Sequence, residues 1–178
     1  MSLPTLILAV VPITQWSLIS TLLVTAGIAF SLNTWTLPII KLNPTTTSIP
    51  QLLDIGRIGG RTLDPANIAV ALVLVFVSVV QAQYPSFAVA TSWKVPASAS
   101  FMLFQVAWWE KLTIFPLERA AIAMKERLEG EKASGQGVWM GRREREEFHG
   151  LLDRWGVRHL GRTVPPVIAV GRLVVWRG

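Results

Sequence analysis

The chain opens on an apolar stretch, Leu3 to Leu32, that contains no charged residue. A bilayer core about 30 Å thick takes roughly 20 helical residues to cross. In lipid, backbone polar groups must be satisfied within the segment, so apolar runs of this length are expected to be helices. The stretch exceeds the apolar region of a signal peptide and lacks a basic leader. It reads as a retained first span.

The same test finds further spans. The first is expected over about 8–32, with Pro12, Gln15 and Trp16 early and the small residues Thr21, Thr25, Ala26, Gly27 and Ala29 later. Small residues at three- and four-residue spacing allow close helix approach. A second span is expected over about 65–83, with a charge-free core from Ile68 to Val80 and Tyr84-Pro85 to end it. A third runs over about 97–116 and continues as a polar helical extension over 117–132. A fourth, the least apolar, covers about 151–176 and contains Pro165-Pro166, which should bend it. Residues 41–65 read as a loop with a short helix near Pro50 to Arg57, and 133–147 as a solvated loop. The fold class expected is all-α, a single integral membrane four-helix bundle over 1–178.

Composition supports this. Hydrophobic residues make up 51% of the chain and charged residues 16%, against about 25% charged in ordinary soluble domains. The net charge is +6, but Lys and Arg concentrate between the apolar runs rather than on a phosphate-binding face, so nucleic acid is not the expected partner. The basic segments 41–65 and 117–150 fall on one side, and the positive-inside rule puts them in the cytoplasm. A multi-pass location in the endoplasmic reticulum or another endomembrane is the expectation. The absence of cysteine removes disulfides, thiolate metal sites and cysteine nucleophiles.

Ionisable residues at membrane depth are costly and usually face the bundle interior. At about 100° per residue, Trp155, His159 and Arg162 lie within about 60° of one another on one helical face. Histidine exchanges protons near neutral pH, and arginine offers several donors to an oxyanion. The bland alternative makes Arg154, Arg158 and Arg162 a stripe facing lipid headgroups. The third span contributes Trp108, Trp109, Glu110 and Lys111. These read either as an interfacial aromatic belt with a snorkelling lysine and a salt-bridged glutamate, or as a base or acid, Glu110, with Lys111 as its electrostatic partner, opening into a cavity shared with the fourth span. Glu118 falls two turns after Lys111. His149 and His159 are a poor metal set, although His159 with Glu110 and Glu118 is conceivable. No phosphate loop or nucleophile elbow is present.

The string Trp155-Gly156-Val157-Arg158-His159-Leu160-Gly161-Arg162-Thr163 resembles the W-x-x-x-H-x-x-R-T signature in the last helix of the anthrone oxygenase-like family of small four-helix membrane proteins. Pro38, the segment with Asp54, Gly59 and Pro65, and the proline ending span three are similar in order. The chain departs from the family in having Pro116-Leu117-Glu118 where Pro-x-Asn is usual, and Lys111 where a threonine is usual. The resemblance implies oxidation of a polyphenolic anthrone to an anthraquinone by O2, with no cofactor beyond that co-substrate. It implies His159 as base, aided by Glu110, Arg162 as oxyanion stabiliser, and Trp155, Trp108 and Trp109 stacked on an apolar aromatic substrate. The competing expectations are a non-catalytic accessory or assembly subunit of a larger membrane complex, docking through the charged helix after Pro116, and a small-molecule carrier. Homo-oligomerisation is compatible with each.

Overall fold

The computed structural model is all-helical and describes residues 3–83, 93–134 and 142–175, with side-chain surroundings from residue 13 onward and residue 143 apart. In chain order the elements are α1 (Leu3–Ser31), a π-helical segment (Leu32–Thr36), α2 (Leu37–Leu42), α3 (Thr45–Gln83), α4 (Lys94–Trp109), a second π-helical segment (Glu110–Ile114), α5 (Phe115–Ala133) and α6 (Arg142–Val175). Each π segment joins its neighbours without a break, so the described residues form four long helical runs. The expected end of the second span at Tyr84-Pro85 and the tip of the fourth at Trp176 lie outside the described residues.

Two expectations change. Residues 41–65 are not a loop: the chain leaves helix only around Asn43, and α3 starts at Thr45. Asn43 is extended, at φ −81° and ψ 158°, because the following Pro44 disfavours helical geometry in the residue before it. The Pro44 carbonyl then accepts the amides of Thr47 and Ser48, and the Ser48 hydroxyl donates to the Ile40 carbonyl at 2.7 Å. Pro50 and Pro65 both lie inside α3, and Gly56, Gly59 and Gly60 are helical. The second change is at the fourth run, which begins at Arg142 rather than near Leu151. The charge run Arg142 to Glu147 forms its first turns, tied by an Arg142–Glu146 pair at 2.9 Å.

The runs pack side by side, α1 against α6, α6 against α4, and α4 against α3. Gln15 Nε2 donates to the Leu173 carbonyl at 2.6 Å, while Lys41 pairs with Asp153, so the first and last runs are antiparallel. Of the small residues expected at a helix contact, Thr25, Ala26 and Ala29 are buried, whereas Thr21 and Gly27 face outward.

Two apolar cores stack end to end. One joins Leu22, Leu74, Leu103 and Leu173 with their neighbours. The other joins Ile40, Leu52, Leu117, Phe148, Leu152 and Trp155 with theirs. Their outer surfaces differ. Around the first core the exposed side chains include Val24, Leu72, Phe76, Phe101, Val167 and Val174. Around the second they include the charged Asp54, Arg57, Glu126, Glu129 and Arg154, interspersed with Leu42, Ile58 and Val157. Arg127 bridges α5 to α6 there, 3.7 Å from Glu144 and 3.8 Å from Glu147. The segments Ile13–Leu42 and Thr45–Gln83 are long and apolar enough to cross a membrane. The third and fourth runs divide their length between an apolar half and a charged half, which dilutes the same signal.

Candidate functional site

Between the two cores lies a layer of buried polar groups. Its centre is Arg162 on α6, whose Nε stands 2.6 Å from Glu110 Oε1, both side chains being 4% exposed. Arg162 Nη2 lies 3.9 Å from Asp64 Oδ1, from a side chain that is 27% exposed. The carboxyls of Asp64 and Glu110 thus flank the same guanidinium. Glu118 approaches from α5 and also senses the Arg162 charge. Burial pushes the Glu118 carboxyl above its ordinary range, against the pull of Arg162 and of the Trp155 indole beside it.

Local sequence explains how these groups meet. A π segment widens the helix by one residue per turn and re-aims the side chains beyond it. The second π segment starts at Glu110, which continues the buried face of Leu103 and Val106, while Trp108, Trp109 and Lys111 face outward. Its Thr113 hydroxyl donates to the Trp109 carbonyl at 2.7 Å; in the first π segment Thr34 does the same to Phe30 at 3.2 Å. On α3, a Cβ at Gly56 would stand 2.6 Å from Glu118 Oε1, and one at Gly59 would stand 3.3 Å from Arg162 Nη1. These glycines are where the carboxylate and the guanidinium reach the helix surface.

His159 is fully buried one turn before Arg162. Its ring stacks on Trp155, with centroids 4.4 Å apart and planes 13° apart. Among the described residues neither His159 nitrogen has a hydrogen-bond partner, and the same holds for Arg162 Nη1, Thr163 Oγ1 and both amide atoms of Asn33. Asn33 belongs to the first π segment and lies against Gly156, where a Cβ would be 3.2 Å from its Oδ1.

The structure therefore brings together His159, Arg162, Glu110, Trp155 and Glu118. It separates Lys111, which lies over the Trp108 ring at 5.6 Å, and Trp108, which is exposed. Trp109 borders the site from outside. Its Nε1 donates to the Arg158 carbonyl at 2.7 Å, and its ring occupies the space a Cβ at Gly161 would need. Arg158 in turn donates to the Thr113 carbonyl at 3.2 Å. The headgroup-facing stripe is thus broken: Arg154 is exposed, Arg158 is engaged with the backbone, and Arg162 is buried. Asp64, Gly56, Gly59 and Asn33 were not among the residues expected at the site. The spacing of Gly56, Gly59 or Gly60, and Asp64 on one helical face is the signal that marks them.

No family model, curated protein or solved structure matches the chain. Among the described residues no group of three or more His, Asp or Glu side chains is placed to hold a metal ion. What remains is a neutral-capable base without an orienting partner, a guanidinium with a donor to spare, and carboxyls that can accept protons. They are enclosed between two apolar cores, with the half-exposed Trp109 ring at their edge.

Proposed function

We propose that this chain is a membrane-embedded enzyme that deprotonates an acidic benzylic C–H of a flat aromatic ketone, of the anthrone type, and lets the anion react with O2. The observation that carries the reading is His159, fully buried, stacked on Trp155 and one turn from the buried Glu110–Arg162 pair. A base positioned against the C–H takes its proton in the transition state, and positioned donors hold the charge that develops on oxygen.

Each residue has a part. His159 takes the proton. Arg162 keeps Glu110 on its Nε and offers Nη1 to the phenolate or enolate oxygen. Trp155 supports the imidazole rather than the substrate, since its ring is already stacked on His159. Trp109 forms the side wall. Oxygen is the oxidant: one atom becomes the new ring carbonyl, and the other leaves as water with the two benzylic hydrogens. Lys111 and Trp108 serve instead at the membrane interface, where tryptophan and lysine are favoured.

The membrane assignment rests on the apolar exterior around one core, the charged exterior around the other, and Trp35, Trp108 and Trp109 near the boundary between them. All four runs cross, with Ile13–Leu42 and Thr45–Gln83 the most apolar. The reactive layer then sits near headgroup depth, where an apolar substrate can enter sideways from the leaflet.

The test is oxygen uptake by purified protein supplied with anthrone. The expected result is anthraquinone formation with one O2 consumed per anthrone, falling about a hundredfold in His159→Gln and Arg162→Lys. A parent protein no faster than buffer would sink the reading. Variants as fast as the parent would sink the assigned roles.

A further inference from the structure

The charges around Arg162 do not balance. Asp64 from α3, Glu110 from the second π segment and Glu118 from α5 all act on one guanidinium. The nearby cations are turned elsewhere, Lys111 to Trp108 and Arg158 to the Thr113 carbonyl. The first run brings only the neutral Asn33 to this level. His159 on α6, buried and without a partner among the described residues, is the remaining titratable group. Two adjacent carboxylates against one buried guanidinium leave a negative charge uncompensated, which a poorly solvated site does not tolerate. One proton held between Asp64 and Glu110 makes the trio neutral.

The exposures run in order. His159 is 0% exposed, Glu110 and Arg162 have side chains 4% exposed, and the Asp64 side chain is 27% exposed. Asp64 lies beside Gly60, where a Cβ would stand 3.5 Å from its Oδ2, and one turn from the exposed Arg61. It therefore joins the enclosed pair to the water-facing half of α3.

We propose that Asp64 and Glu110 are a proton-sharing pair, and that Asp64 is the outlet by which protons leave the buried layer for water. The source of those protons, His159, rests on the enzymatic reading above. The transfer moves no electrons. The C–H bond breaks, His159 gains the proton and passes it to the carboxyl pair, and Asp64 releases one to water.

Infrared spectroscopy of the purified protein without substrate tests the pair independently of turnover. The parent should show, at neutral pH, a protonated-carboxyl stretch that shifts in heavy water, and both Asp64→Asn and Glu110→Gln should abolish it. A band that survives both substitutions, that disappears only in Glu118→Gln, or that is missing from the parent would overturn the pair. In turnover, Asp64→Asn should slow anthrone oxidation about tenfold or more, with formate restoring the rate and Asp64→Glu retaining it. An Asp64→Asn variant as fast as the parent would refute the outlet. A parent inactive on anthrone but showing the paired infrared band would sink only the enzymatic reading.

Discussion

Arg162 is the cation that Glu110 and Asp64 share, so removing it strands the buried Glu110 carboxyl, whereas removing Glu110 leaves Arg162 with Asp64. Breaking a buried pair in that way costs about 3–5 kcal/mol. Arg162→Met should therefore lower the unfolding midpoint in detergent sharply, and Arg162→Met with Glu110→Ala should recover much of the loss. Glu118 carries a pH signature. Burial lifts its carboxyl above the ordinary value of 4.5, so the folded chain holds this proton more tightly than the unfolded chain does. That contribution is complete below the ordinary value and fades as pH rises through the raised one. Stability should thus fall from acid toward neutral pH, and Glu118→Gln should flatten the profile; thermal unfolding across that range reads it. Glu110 and Arg162 could each be singled out in the sequence because charges in apolar runs are rare and a helical period aligns Trp155, His159 and Arg162, but their pairing could not: Glu110 read with Lys111. Asp64 was not legible. It precedes a proline and comes after three glycines, a pattern that reads as a turn, and only packing against Arg162 reveals it as part of a helix.

At the scale of elements, the buried face of the third run decides which of its side chains enter the layer. Glu110 falls four residues after Val106 and seven after Leu103, so it continues that face. Lys111, one residue on, points away and lies over the Trp108 ring. Helix α3 shows the complementary point. Its glycines and prolines predict a break on propensity, yet tertiary contact with Glu118 and Arg162 keeps it continuous from Thr45 to Gln83. Gly161 makes the same demand on α6, because the Trp109 ring fills its Cβ space. Gly161→Leu should eject the indole and shift tryptophan fluorescence to the red, while Gly161→Leu combined with Trp109→Ala should return much of the lost stability. A Gly161→Leu variant with unchanged emission would show that the indole is not held there.

For the whole molecule, the helical class was legible from run length and charge scarcity alone. The extent of each run was not, since the helices of the charged half lack long apolar runs and depend on packing between Phe148, Leu152 and their neighbours. The cysteine-free sequence makes the membrane assignment directly measurable. The single variants Arg57→Cys and Glu126→Cys should react with an impermeant maleimide from one side of intact vesicles, and Phe76→Cys should react only after detergent is added. Labelling of all three before detergent would refute embedding. The charged half has a mechanical consequence. On the proposed embedding, its charged side chains would form a collar that stops the protein sinking further into the leaflet. The buried polar layer adjoins that collar. Thicker or thinner membranes would then be accommodated at the far end of the first apolar core, leaving the depth of Arg162 unchanged.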